Sequence, residues 1–316
     1  MSDTDISPTP EQENIGLGAR IKRFFIKLKN NENLYYTFSQ PRVIFGLFLV
    51  GFILLLALIG PRFTEYTVRS SRLGTGIAWE DGPSMQHYFG LTTWQAGSRD
   101  VFTLTVYGLR DTIYTSFVGA IIASTVGVIL GLVAGYIGGM TDEILMGVTN
   151  VFLTFPQLAI LIILAGFLED AMGLIHMAVL VGLVIWPWTA RAVRSQTLSL
   201  KNESHVDLSR ISSNGTVRIM FEDIAANMFS YIIMVFIQQF LGVTMAVVGL
   251  EFLGLGPGGV VSLGRTMRRA IQEGALYLNY WWWGILPGLA LMLLLWGMYF
   301  IYNGLDKVFN PELREM

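Results

Sequence analysis

Long apolar runs separated by polar interruptions organise this chain. An apolar run of about 18 residues or more is long enough to cross a hydrocarbon core. By that criterion the pattern predicts six spans, roughly 43–60, 112–137, 144–167, 174–190, 229–250 and 280–303, the first closed by Gly60 and Pro61. The polar stretches between them differ in kind. Residues 61–111 form a long polar loop, "GGMTDE" is a tight connection between the second and third spans, and residues 251–279 form a Gly-rich loop. One stretch is too long and too regular for a turn: "HVDLSRISSNGTVRIMFEDIAAN", residues 205–227, polar and charged, with helical spacing, between two spans. Ser204 or Asp207 is placed to start a short helix there, and Asn214-Gly215 to end it.

The expectation is therefore an all-α membrane protein: six transmembrane helices, a long loop after the first and a polar helix between the fourth and fifth. Its parts are a leader, residues 1–42; a first transmembrane helix, 43–60; the loop 61–111; a five-helix core, 112–303, with the polar helix at about 205–217; and a tail, 304–316. Residues 1–15 are acidic, with Pro8 and Pro10, and have the composition of a disordered segment. In "ARIKRFFIKLKN" basic and apolar residues fall on opposite sides of a possible interfacial helix; the plainer reading, a basic flank that sets topology, is preferred.

Composition agrees with the pattern. Of 316 residues, 53% are hydrophobic and 14% charged, against about 25% charged in soluble domains. Mean hydropathy is +0.54. The net charge of −2 says nothing about nucleic acid, but no basic domain is present and no nucleic-acid partner is expected. The chain has no cysteine, which excludes disulfides, thiolate metal sites and cysteine nucleophiles. The first apolar run begins behind a long polar leader, unlike a secretory signal, and is read as a retained span.

Positive charge orients the bundle. The basic leader points to a cytoplasmic N-terminus, and six spans return the C-terminus, with Lys307 and Arg314, to the same side. The polar segment lies there too, flanked by Arg191, Arg194, Lys201, Arg210 and Arg218, and the 61–111 loop faces outward. Arg265, Arg268 and Arg269 run against this rule, because they fall in an outward loop.

Within the second span Gly119, Ala123, Gly127, Gly131 and Gly135 recur every four residues. In a helix they form one small-residue ridge, which lets backbones approach closely in lipid. Such a ridge serves either a seam with a partner subunit or packing inside the chain, and the pattern does not choose.

Sites for chemistry are absent from the pattern. The six predicted span cores contain no Asp, Glu, Lys or Arg; Gln238, Gln239 and Asn303 are among their strong polar groups. Ion-coupled transporters place ionisable groups in their spans, so no coupling-ion site is evident. There is no GxxxxGK[ST] phosphate loop, and His87, His176 and His205 belong to no metal or nucleophile motif. No catalytic, cofactor-binding or metal residue is assigned, and the chain is not expected to be an enzyme. "GLGPGG" at 254–259 reads as a tight turn at the membrane surface. Pro156, Pro187 and Pro287 mark hinges or static kinks. "YWWWG" at 280–284 reads as an interfacial aromatic belt rather than a sugar-stacking platform.

The polar segment also carries a resemblance. "VDLSRISSNGTVRIMFEDIAAN" resembles the cytoplasmic loop of ABC importer permeases, which in the oligopeptide/dipeptide (peptide/nickel) family reads approximately V-E-A-A-R-A-L-G-A-S-x-x-R-I-I-F-R-H-I-L-P-N. Val206, Arg210, Arg218, Ile219, Phe221, Ile224 and Asn227 match; Asp207 stands for Glu, Leu208 and Ser209 replace two alanines, Ser213 replaces Gly, and Ala226 replaces Pro. "GLVAGYIGGMTDEILMGVTNVFLTFPQLAILIIL" is similar to the family's second and third spans. "LEFLGLG" at 250–256 is similar to its L-S-F-L-G-L-G, and "SRDVFTLTVYGLR", "SLGRTM", "WWWGILPGLAL" and "GLDKVFNPELR" resemble further family segments. The resemblance covers about residues 87–316 and points to the C-type permease subunit.

It implies a multi-pass subunit of the cytoplasmic membrane, in contact with lipid and paired with a second homologous permease. Two cytoplasmic ATPase subunits would hold ATP and Mg, and an extracytoplasmic binding protein would deliver substrate. Residues 205–217 become a coupling helix, with Val206, Asp207, Ser209, Arg210, Ser213, Gly215 and Arg218 as the ATPase-coupling residues. The altered core of the loop bears on which ATPase it accepts. Family members take peptides, oligosaccharides or nickel, and no substrate-binding residue is assigned.

Overall fold

The computed structural model describes residues 40–64, 72–73, 82–85, 87–92, 98–168, 172–212 and 215–309. The leader before Gln40, the tail beyond Phe309, and Ser213 and Asn214 in the polar segment lie outside these residues. The helices in chain order are α1 (Pro41–Ile59), α2 (Val101–Ile137), α3 (Gly139–Thr154), α4 (Gln157–Phe167), α5 (Leu174–Ile185), α6 (Pro187–Leu200) and α7 (Ser204–Ile211). The one-turn α8 (Thr216–Arg218) runs into a π-helical segment, Ile219–Ala225, followed by α9 (Phe229–Leu253), α10 (Leu263–Gln272) and α11 (Trp281–Phe309). A two-residue antiparallel ladder, β1 (Arg72–Leu73) on β2 (Ser98–Arg99), pairs Arg72 with Arg99.

Among the described residues α1, α2, α9 and α11 are each long and apolar enough to cross a membrane. The pairs α3–α4 and α5–α6 meet the same test as bent units, which brings the number to six. The first pair bends by 85° and the second by 47°. Both bends fall at prolines. Pro156 is the N-cap residue of α4, with the preceding Phe155 extended, and Pro187 is the first residue of α6. A proline lacks the N–H that would continue the ladder and clashes with the turn before it. Pro287 instead sits inside α11.

The main apolar core joins α1, α2, α4, α5, α9 and α11. Ile53 of α1, Leu109 and Ala123 of α2, Leu161 of α4, Val181 of α5, Val247 of α9 and Leu294 of α11 all belong to it. Exposed Ile, Leu and Phe side chains cover the outside, as on Leu47, Phe48, Leu55 and Leu58 of α1. In lipid that surface is the expected one.

The structure moves several expected boundaries. α2 begins at Val101, not near 112, so the long loop ends at Asp100. Arg110 and Asp111 had cut the apolar run, yet both lie within the helix. The start is secured by Asp100, whose Oδ2 accepts from Thr103 N and Thr103 Oγ1, each at 2.6 Å. α9 continues to Leu253, past the predicted end at 250, and so carries Glu251. The expectation of no ionisable group in a span is therefore corrected. Glu251 is fully buried, and its Oε2 accepts from Gly264 N at 3.3 Å. The aromatic belt is corrected as well: Trp282 and Trp283 are buried. Trp282 Nε1 donates to Leu91 O at 3.0 Å and ties the loop to α11, leaving Trp281 exposed.

The glycine loop after α9 forms a turn. Gly254 has φ +93°, in the left-handed region, and Gly259 has φ +72°. Arg265 on α10 donates its guanidinium to the carbonyls of Gly256, Pro257 and Val260. Its charge serves this loop, which accounts for a basic residue where the orientation rule disfavours one.

Candidate functional site

The five small residues of the α2 ridge lie on one face and are all buried. The structure packs them against the same chain. A Cβ on Gly119 would stand 2.8 Å from Val243 of α9 and 3.1 Å from the carbonyl of Ala178 in α5. Further along, Gly127 faces Thr189, Gly131 faces Val193 and the Ala190 carbonyl, and Gly135 faces Thr197 and the Arg194 carbonyl, all on α6. The ridge is thus a seam between α2 and the α5–α6 pair. Gln239 of α9, also buried, donates to the Thr189 hydroxyl beside it.

The seam places the end of α6. Arg194 holds Asp142 of α3 in a two-pronged pair at 2.5 and 2.6 Å, and Lys201 Nζ donates to Gly135 O at 3.1 Å. α2, with 37 residues, is about 55 Å long at 1.5 Å per residue. That exceeds a hydrocarbon core of about 30 Å, so it reaches beyond the membrane. The chain leaving α6 turns beside the C-terminal part of α2, and α7 forms there.

α7 is eight residues long. An isolated helix of that length is unstable in water, and this one is held by packing. Val206 is fully buried in a cluster with Leu132 of α2, Val193 of α6, Ile219 and Ile224 of the π segment, and Met228. The N-cap is Glu203, in extended conformation with no side-chain cap bond, rather than Ser204 or Asp207, and the helix ends at Ile211 instead of reaching 217. Polar contacts complete the fastening. His205 Nε2 lies 3.1 Å from Asn227 Nδ2, and that Nδ2 also donates to Asp223 O at 2.6 Å.

The residues expected to meet a partner take different places. Val206 points inward. Arg210 lies over the Tyr136 ring, 5.5 Å from its centroid, and donates to Asp207 Oδ1 at 2.9 Å. Tyr136, and after it Asp207, raise its pKa above the ordinary arginine value. Ser209 is half-buried. Gly215 is exposed, with open space where a Cβ would stand. Arg218 pairs with Glu222 at 2.7 Å along its own helix, which raises its pKa. Ser213 lies outside the described residues.

Sequence reasoning missed the outward apolar residues. Leu208 is 64% exposed, Ile211 80% and Val217 65%. The signal was in the spacing: once Val206 faces inward, positions two and five further on fall on the far side of a helix of 3.6 residues per turn. The π segment under α7 is a second feature no pattern announced; such wide turns recur at functional sites.

Fold and surface together define the class: a helical membrane protein whose short polar helix α7 has an inward anchor and an outward apolar edge and is fastened to α2 and α6. Comparison with known proteins gives the class its family. Residues 127–315 match the model of the binding-protein-dependent transport system inner membrane component, and the chain belongs to that family. It is a multi-pass inner-membrane permease of an ABC transport system, and the family is the non-catalytic transmembrane component. The chain is similar to the oligopeptide transport system permease protein OppC of Bacillus subtilis, 29% identical over 308 residues, covering 97% of each chain. It is 32% identical over 274 residues to the dipeptide transport system permease protein DppC of the same organism, covering 85% of this chain and 81% of that one. The OppC of Haemophilus influenzae is 28% identical over 280 residues, 88% of this chain and 86% of that one.

Proposed function

We propose that this chain forms half of a translocation pathway for peptides and that α7 is its coupling helix. A second homologous permease subunit forms the other half. Two cytoplasmic ATPase subunits bind ATP and Mg and hydrolyse the nucleotide, and an extracytoplasmic binding protein delivers the substrate. Both termini and α7 are cytoplasmic. The carrying observation is the exposed apolar pair Leu208 and Ile211, on a helix whose opposite face is buried through Val206. An exposed apolar edge on a short polar helix suits a groove in a partner. Tied through the Val206 cluster to α2, α6 and the approach to α9, α7 is placed to pass a push into both neighbouring spans.

Peptide as substrate follows the names of the relatives; oligosaccharides and nickel are the alternatives. Mass analysis of the ligand that copurifies with the system's binding protein decides among them. Coupling is tested by Leu208→Glu with Ile211→Glu. The double variant is expected to insert normally, lose the ATPases on purification and fail to transport; full retention of both would refute the assignment. Glu251 keeps one rival in view, an ion-coupled transporter, because it is a fully buried carboxylate in a span. Uptake by the chain alone in liposomes, without ATPases, would favour that rival.

A further inference from the structure

Beside α7 a cavity of about 520 Å³ opens between the end of α6, the start of α9 and the end of α11. Ligand sites fall in the range of about 300–1,000 Å³. Its walls divide by chemistry. Asp306, Tyr302 and Tyr231 stand among the lining residues, as do the buried methionines Met228 and Met234. Tyr302 and Asp306 are four residues apart on α11 and so share one face. Asp306 is the one formally charged side chain in the lining, and it makes no ion pair among the described residues.

That arrangement selects a ligand. An anion would meet Asp306, and a neutral occupant would cover the carboxylate without pairing it, which is costly. A hard metal ion favours several carboxylates, and no group of three or more His, Asp or Glu side chains that could hold one stands here or elsewhere among the described residues. A cation with an apolar body satisfies both ends, the charge on Asp306 and the hydrocarbon on the methionines. Asn227 adds a connection: it lines the cavity and its amide lies 3.1 Å from His205 of α7.

We propose that this cavity binds a small organic ammonium, with Asp306 taking the charged nitrogen, and that its occupancy is passed to α7 through Asn227 and His205. The shared chemistry is a primary ammonium on an apolar body, either the amino terminus of a peptide in transit or a free amine. The inference rests on the peptide-importer reading only for the first of these sources.

The test uses the purified full chain with three probes: alanyl-alanine, its N-acetyl derivative and n-butylamine. Binding is followed by calorimetry, and the α7 amides 204–211 by hydrogen exchange. Alanyl-alanine or butylamine should bind saturably and slow exchange in α7, and N-acetyl-alanyl-alanine should not bind. Binding of butylamine identifies a general amine site, and binding of the dipeptide alone identifies a peptide site. Asp306→Asn should weaken binding about ten- to a hundredfold, the loss typical of a charge-assisted hydrogen bond. Tyr302→Phe should weaken it less, and gives a second reading if the first variant folds poorly. No saturable binding by either amine, equal binding of the acetylated probe, full affinity in both variants, or binding without any change in α7 would overturn the proposal. Loss of ATPase association in the Leu208/Ile211 variant concerns α7 alone, so the coupling reading and the amine site fail separately.

Discussion

The division of α7 into an anchoring face and an exposed apolar face makes a prediction whose size follows from the packing. Val206→Ala removes two methyl-sized groups from a side chain with no exposure. At about 0.8 kcal/mol per buried carbon the transfer loss is about 1.6 kcal/mol, and incomplete collapse of the cavity adds up to about 1.5 kcal/mol. Because α7 is too short to stand alone, the loss falls on its local opening rather than on the whole bundle. Each 1.4 kcal/mol is about tenfold, so the α7 amides should exchange roughly 15- to 150-fold faster. Leu208→Ala removes more carbon from the exposed edge and should leave exchange within about twofold, since surface changes cost little. The assay is hydrogen exchange on the purified chain, read at residues 204–211. In the assembled system the order reverses, with Leu208→Ala weakening ATPase association directly. If Val206→Ala leaves exchange unchanged, or Leu208→Ala speeds it as much, the two-faced description of α7 is wrong.

Three further outcomes follow from other contacts. Gly127→Leu drives a side chain into Thr189, 2.4 Å from the position of the new Cβ, and should abolish recovery of folded protein, whereas Gly147→Leu, with nothing within 4 Å, should be recovered normally; size-exclusion profiles compare them. Trp282→Phe leaves the Leu91 carbonyl without its buried donor and should lower stability by about 1–2 kcal/mol, read as a lower unfolding midpoint and as easier proteolysis of the 82–92 segment. The cysteine-free chain suits topology mapping: a cysteine at Ser84 should label from outside intact cells and one at Ser213 only after permeabilisation, and the reverse pattern would reject a cytoplasmic α7.

Much of this architecture is legible in hydrophobic periodicity because lipid leaves little choice. A span must satisfy its own backbone, so an apolar run of sufficient length becomes helix wherever it packs. That reasoning reached α1, α9 and α11, the two proline-bent pairs and the small-residue ridge of α2. It erred where a helix outruns its apolar run. Arg110 and Asp111 hid the first turns of α2, and Glu251 fell just past a predicted end although α9 carries it into the core. Window-averaged hydropathy ends a helix at a charge; the backbone ends it where the next hydrogen bond has no partner.

The sequence by itself determined that this is a helical membrane subunit with a polar helix between its fourth and fifth spans, because length, period and the Val206–Asn227 motif are local properties. Only the tertiary structure decided which way α7 faces. Val206 and Leu208 are both apolar and two positions apart, and nothing local tells the buried one from the exposed one. The choice comes from the cavity that Leu132, Val193 and Ile224 leave at one place, and those residues lie on three different elements that only the fold brings together. The tertiary structure likewise assigned the ridge of α2 to α5 and α6, since a row of glycines permits close approach without naming the helix that approaches. Arg210 follows the same logic: its sequence position offers a cation to any neighbour, and Tyr136, brought near by the fold, takes it.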